Sequence, residues 1–512
     1  MEQGFRASMN WLHTWAGVVL GGLLFAIFWM GTLAVFDREI DRWMAPMIRL
    51  PAAEKPFSLE SLRPLYETAA AAKSPFFSVG LPTDRDAAIR VLWSDQSGQT
   101  HRFIDPNTGA VLPDPGTLAG TRFIFPFHYM LHIRAENIGY WLVGLAAMAM
   151  MALCVSGVII HRKIFTDFFT FRPDRKPRRL VLDLHNVTGV LGWPFHFLIT
   201  LSGLVIFWST YFPSAWQLTY NGDRLAFFAD AYGNVVPKGR SGESGGMASF
   251  DAMASEARRV WEGSALRYVF VRNPGDAKSI VQIGRLDEGI VSSTYDAAYF
   301  DGPTGALISY KSGTAPVMSV QRFLAGFHFI QFRHWSLRWI YFGLGLTGCV
   351  LIATGYLFWL ESRRKKHAQL GLKGVRIVEG LAVGSVTGML IATAAFFVAN
   401  RLLPLGAEAF GLDRAALEVW TFYLVWLATF AHAWARPQRA WMEQCWTVAA
   451  LACAAALLNW ITTGDHLVRS LSYRHLWPIA GMDILLLAGS AIAAVSALRL
   501  SRPSRVARVR HA

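Results

Sequence analysis

Runs of about twenty apolar residues recur along this chain, each long enough to cross the hydrocarbon core of a bilayer. They cover roughly 12–36, 135–160, 184–209, 337–360, 377–399, 416–434, 442–462 and 477–498. The chain therefore reads as an α-helical integral membrane protein with about eight transmembrane helices. Composition agrees, because 16% of the 512 residues are charged where a soluble chain carries about a quarter. The first run is too long for a signal h-region and no small-residue cleavage site follows it, so it reads as a retained span.

A formal net charge of +14 invites a nucleic-acid partner, but its distribution argues for topology instead. Basic residues gather in 161–179 (Arg162, Lys163, Arg172, Arg175, Lys176, Arg178, Arg179) and in 363–376 (Arg363, Arg364, Lys365, Lys366, Lys373, Arg376), with smaller groups at Arg436, Arg439 and Arg499 to Arg510. Eight spans put all of these on one side, as the positive-inside rule requires. Both termini are then cytoplasmic, and 37–130 and 210–330 lie outside. Cys154, Cys349, Cys445 and Cys453 all fall in apolar spans, so no disulfide framework or cysteine metal site is expected.

The first four spans read as a duplication. Leu12-His13-Thr14-Trp15-Ala16-Gly17 is matched by Leu184-His185-Asn186-Val187-Thr188-Gly189, and in that frame Phe25 falls on Phe197 and Gly31 on Gly203. Phe127-His128 and Phe327-His328 lead into the second and fourth spans, which close on Ser156-Gly157 and Thr354-Gly355. Each outside segment begins with a helical pattern at Phe57 or Phe250. Strand-like runs follow at 88–93 and 101–104, and at 279–283 and Thr294-Tyr295. Each segment then carries a turn, Asp105-Pro-Asn-Thr-Gly109 or Asp301-Gly-Pro-Thr-Gly305, whose Asp and Pro favour turn initiation and whose Gly suits positive φ. The unit is span, α+β domain, span, repeated in one orientation, which implies an axis along the membrane normal. The expected segments are 1–44, 45–120, 121–210, 211–318, 319–366 and a separate four-span extension, 371–512.

These features together resemble the PepSY-associated transmembrane family over about 5–365. That family includes iron-regulated inner-membrane proteins and ferric-siderophore reductases of Gram-negative bacteria. The resemblance implies two periplasmic α+β PepSY-type domains, between helices 1 and 2 and between 3 and 4. It also implies a multi-pass place in the inner membrane. It says nothing of 371–512.

Eight of the 14 histidines lie in or beside the first four spans: His13, His128, His132, His161, His185, His196, His328 and His334. Ionisable residues at membrane depth are costly and face a bundle interior or cavity. Helix rise sorts them by depth. His132 and His161 stand 29 residues apart, roughly 43 Å, and so mark opposite faces. His185 and His196 share a helix face about 16 Å apart. Paired histidines from facing helices are a common way to hold haem iron in electron-transfer proteins. The repeat axis sets His13 opposite His185 on the inner side, with His128 or His132 opposite His328 or His334 outside. Two haems b are expected, with His13, His185, His132 and His328 foremost among the iron ligands and His161 and His196 as alternates or ligands of a third centre. A proton relay or a non-haem metal site are the competing readings. Gly17, Gly157, Gly189 and Gly355 suit close helix packing or room for a macrocycle. Arg134, Arg322, Arg333 and Arg338 suit propionates, an anionic chelate or lipid headgroups. Asp483, His432, Asp465, His466 and His475 in the extension suit packing or a quinone or proton site.

Two haems at different depths make a wire. With the family resemblance, the expected function is an oxidoreductase that reduces a periplasmic ferric siderophore or other ferric chelate. No Rossmann or flavin-type glycine motif follows a strand, so a quinol or a separate cytoplasmic reductase is the expected donor. The alternatives are a non-enzymatic periplasmic binding module with a membrane anchor, or a transporter of siderophore or iron.

Overall fold

The computed structural model describes residues 4–96, 98–161, 177–235, 239–287, 289–293, 295–310 and 316–502. Thr294, most of the basic loop (162–176) and most of the basic tail lie outside those residues. The chain forms two compact units: 1–45, 116–201 and 336–512 make one, and 46–115 with 202–335 make the other.

The first unit is helical. It comprises α1 (Phe5–Ala34), α2 (Asp37–Met44), α4 (Phe125–Met130), α5 (Ile138–Ile160), most of α6 (Pro177–Ile206) and α9 (Trp335–Gln369), then α10 (Gly374–Leu402), α11 (Arg414–Ala435), α12 (Ala440–Thr463) and α13 (Trp477–Ser501). Among the described residues seven helices, namely α1, α5, α6, α9, α10, α12 and α13, are long and apolar enough to cross a membrane. The run at 416–434 is also a helix, α11, of 22 residues. Glu418, His432 and its tryptophans hold its apolarity below that of the seven.

α10 and α11 approach closely because three residues of α10 spaced four apart, Gly380, Gly384 and Gly388, lack side chains. A Cβ on Gly380, Gly384 or Gly388 would come within 2.0, 2.3 or 2.1 Å of Trp434, Phe430 or Thr429. Small residues at such spacing let membrane helices pack backbone to backbone. The extension is part of the main core rather than a bundle apart, since Phe396 and Phe422 share a cluster with Phe25, Met30, Phe123 and Phe127.

A buried polar lattice joins it there. α2 is buried from Glu39 through Met44 despite three charged residues in that stretch. Asp41 accepts the Thr121 N–H and hydroxyl at 2.9 and 2.6 Å, and Trp43 Nε1 donates to Asp483 at 2.8 Å. Arg401 stacks on Trp43 at 4.6 Å, Arg338 faces Glu39 at 3.6 Å, and Arg42 donates to the His475 carbonyl. Pairing of this kind is what makes buried charge tolerable.

The second unit is α+β: α3 (Arg63–Ala71), strands β1 (Phe76–Gly80), β2 (Ile89–Asp95), β3 (Gly98–Ile104) and β4 (Val111–Leu112), α7 (Phe250–Val260), β5 (Leu266–Arg272), β6 (Ile280–Arg285), β7 (Ala297–Asp301) and β8 (Leu307–Tyr310), then α8 (Pro316–Phe329). The two insertions do not fold as separate sheets. All eight strands form one antiparallel sheet in the order β4-β3-β2-β1-β5-β6-β7-β8. β1 pairs with β5 about a centre at Ser78 opposite Phe270, with Phe77 facing Val271 and Val79 facing Val269.

Helix ends reinforce the join. Asp251 accepts the Leu59 N–H at 2.7 Å while Glu60 accepts the Phe250 N–H at 2.6 Å, so each insertion caps the other's helix. One hydrophobic core then runs under both halves, from Tyr66, Phe77 and Val91 to Phe250, Val269 and Phe300. The two expected turns are alike: Gly109 and Gly305 both have φ 72°, and both donate to the carbonyl of the Asp four residues earlier at 2.8 Å.

Candidate functional site

His13 lies in the third turn of α1 and His185 in α6, and the helical unit brings their rings together. The ring centres are 6.4 Å apart with planes at 86°. Each imidazole is tied back by its Nδ1. His13 Nδ1 is 3.0 Å from Ser156 Oγ. His185 Nδ1 is 2.9 Å from the Leu351 carbonyl and 3.3 Å from Thr354 Oγ1. A carbonyl only accepts, so His185 carries its proton on Nδ1 and keeps the Nε2 lone pair. Ser156 donates to the Leu153 carbonyl at 3.3 Å, which leaves its oxygen to accept from His13 in the same sense.

Glycines make room for both rings. A Cβ on Gly157 would lie 3.3 Å from His13 Cε1, and one on Gly355 would lie 3.4 Å from His185 Cε1. The other two glycines of the repeat, Gly17 and Gly189, face Leu153 and Leu351 instead.

This pair fits haem iron. A metal held between two imidazoles at roughly 2 Å from each nitrogen sets the ring centres about 6 Å apart. Nδ1 atoms committed to outer hydrogen bonds are the usual second shell of such ligands. Among the described residues there is no group of three or more His, Cys, Asp or Glu side chains placed for a metal, and a bis-histidine haem asks for only two.

The same construction recurs further along the helices. His128 Nδ1 is 2.9 Å from the Ile27 carbonyl, and its ring lies where a Cβ on Gly31 would reach within 2.6 Å. In the other unit His328 Nδ1 is 3.1 Å from Ser202 Oγ, with its ring 2.9 Å from where a Cβ on Gly203 would be. Both are histidine–glycine couples, built from the two residues that the repeat frame aligns.

The remaining expected histidines have different settings. His132 sits at left-handed φ 54°, packs edge-on to Phe123 at 5.3 Å, and has a buried Nε2 without a hydrogen-bond partner among the described residues. His161 caps α5, with its N–H 3.2 Å from the Gly157 carbonyl. His196 is 1% exposed, and its Nε2 is 3.2 Å from the Leu344 carbonyl. His334 is exposed.

Of the four expected arginines, Arg338 faces Glu39 as above and Arg322 pairs with Asp296 at 3.2 Å, both buried. Arg134 and Arg333 are exposed. In the extension Asp483 also takes Asn459 Nδ2 at 3.1 Å, and His432 Nε2 meets Glu443 at 3.0 Å. His466 accepts the Arg469 N–H at 3.2 Å as a helix cap. Sequence reasoning missed Glu418, which is fully buried and bonded by Thr117 and by Asn400 at 2.9 Å. A carboxylate inside an apolar span was the available signal.

The family model of the PepSY-associated TM region matches residues 10–362, the stretch that holds every histidine of these couples. An uncharacterized protein of Pseudomonas aeruginosa is 26% identical over 280 residues, covering 52% of this chain and 69% of the relative.

Proposed function

The chain belongs to the family of the PepSY-associated TM region, and from that premise we propose that it carries haem and moves electrons across the inner membrane to a ferric chelate, a ferric siderophore foremost. The observation that carries this reading is the His13–His185 couple, with ring centres 6.4 Å apart and Nδ1 atoms drawn outward.

Haem bound there supplies a one-electron carrier inside the bilayer. The chain's own residues do the rest. Ser156, Leu351 and Thr354 hold the imidazole protons on Nδ1, so that Nε2 is free to ligate. Gly157 and Gly355 leave room for the two imidazole rings themselves. The His128–Gly31 couple of the helical unit and the His328–Gly203 couple of the other unit each support their own histidine as a ligand. On this reading both termini are cytoplasmic, a quinol or a cytoplasmic reductase gives the electrons, and the sheet unit offers a periplasmic surface to the chelate. One electron reduces each ferric ion to ferrous, which weakens its hold on the siderophore.

The test is spectroscopic. Protein purified from haem-replete cells should give a pyridine haemochrome and sharp α and β bands on reduction. His13→Ala and His185→Ala should each remove the same fraction of the haem, while His334→Ala should keep all of it. Colourless wild-type protein overturns the reading.

A further inference from the structure

Resting on that haem reading, we propose that Ser156 and Thr354 are positioning residues that aim the two inner imidazoles and set how strongly each donates to iron. Ser156 Oγ stands 3.0 Å from His13 Nδ1. Thr354 Oγ1 stands 3.3 Å from His185 Nδ1 and donates to the Val350 carbonyl at 2.7 Å. Both hydroxyl hydrogens are spent on backbone, so both oxygens offer lone pairs to an imidazole N–H. The residues are 1% and 4% exposed, which keeps water from substituting for them.

An acceptor at Nδ1–H raises electron density at Nε2 and favours ferric over ferrous iron. Helix geometry alone does not demand the hydroxyl. The frame that aligns His13 with His185 aligns Ser202, the partner of His328, with Met30. A thioether holds that place in the first repeat, and His128 still meets the Ile27 carbonyl at 2.9 Å. A hydroxyl oxygen thus stands at Nδ1 of three of the four histidines, His13, His185 and His328.

The two are unequal. Both imidazoles have a backbone carbonyl beside the hydroxyl, Leu153 for His13 and Leu351 for His185 at 2.9 Å, but Ser156 Oγ at 3.0 Å stands closer to its Nδ1 than Thr354 Oγ1 does at 3.3 Å. Ser156→Ala should therefore shift the ferric preference of one haem about tenfold, raising its midpoint by 59 mV for one electron. Thr354→Val should shift the same haem by less, and Ser156→Thr should restore the wild-type value.

The measurement is an optical redox titration of the full-length holoprotein in detergent, with low-temperature electron paramagnetic resonance of the ferric form. Should Ser156→Ala fail to fold, Thr354→Val keeps side-chain volume and carries the same test. Unchanged midpoints and ferric spectra in Thr354→Val and in every foldable Ser156 variant would reduce the hydroxyls to packing and leave the haem reading intact. Wild-type protein without haem overturns both.

Discussion

Residues 119–130 and 316–329 lead into the second span of their repeats, and the frame that aligns Phe127-His128 with Phe327-His328 also aligns Phe123 with Phe323. Their surroundings differ sharply. Phe123 is 0% exposed and touches Phe396, Phe422 and Tyr423 of the extension, while Phe323 is 51% exposed. The duplication is symmetric in sequence and asymmetric in what covers it. Residues 371–502 act as a wall against the first repeat, anchored by Phe396, Phe422, Arg401 and Asp483.

The strongest way to break this contrast is truncation at the two phenylalanines. Phe123→Ala should cost about 3 kcal/mol or more, as buried aromatics do, and Phe323→Ala no more than about 0.5 kcal/mol, as exposed positions do. Thermal unfolding of the detergent-solubilised protein reads both, and equal losses would dissolve the contrast.

The next largest difference should lie between glycines. Gly31→Ala and Gly203→Ala put a methyl 2.6 and 2.9 Å from the rings of His128 and His328, against 3.3 and 3.4 Å at Gly157 and Gly355. The first two should lose haem, and the second two should keep most of it. Haem per protein, measured as haemochrome, sorts them.

The smallest effect should come from a pair of turn carboxylates in the sheet unit. Pro82-Thr-Asp84 and Pro274-Gly-Asp276 connect equivalent strands. Asp84 is exposed. Asp276 accepts from Lys278 N at 2.8 Å, from Ser241 N and Oγ at 3.0 and 2.8 Å, and from Gly242 N at 3.0 Å. Those bonds, the Lys278 N–H first, hold its carboxyl well below the usual carboxylate range against the opposing effect of desolvation. A depressed folded pKa contributes stability that is present above the ordinary carboxylate value and lost as pH falls through and below it. Asp276→Asn should lower the melting temperature at pH 7 and flatten its fall between pH 5 and 3. Asp84→Asn should melt like wild type throughout.

Much of this architecture was legible because it is written in local patterns. Apolar run length gives the spans, the Asp-x-x-Thr-Gly turns give the hairpins, and the His13/His185 alignment anticipated two rings that do meet. What escaped depends on distant partners. β1 and β5 have no signature saying that Val79 will face Val269, so the joining of the two insertions in one sheet was not legible. Arg322 and Arg338 looked available until Asp296 and Glu39 came beside them. His196 was one of eight similar histidines until its bond to the Leu344 carbonyl appeared.

The pairing of β1 with β5 also fixes a schedule. Phe270 follows Ser78 by 192 residues, and at roughly 5–20 residues per second of synthesis the first strand waits on the order of ten to forty seconds for its neighbour. Two membrane helices, α5 and α6, must be laid down in between. For that interval a bare strand edge, the kind of surface that recruits wrong partners, hangs from the growing chain. Newborn protein thus passes through a vulnerable stage that the finished fold no longer displays, and whatever shields a nascent edge has its one opportunity there.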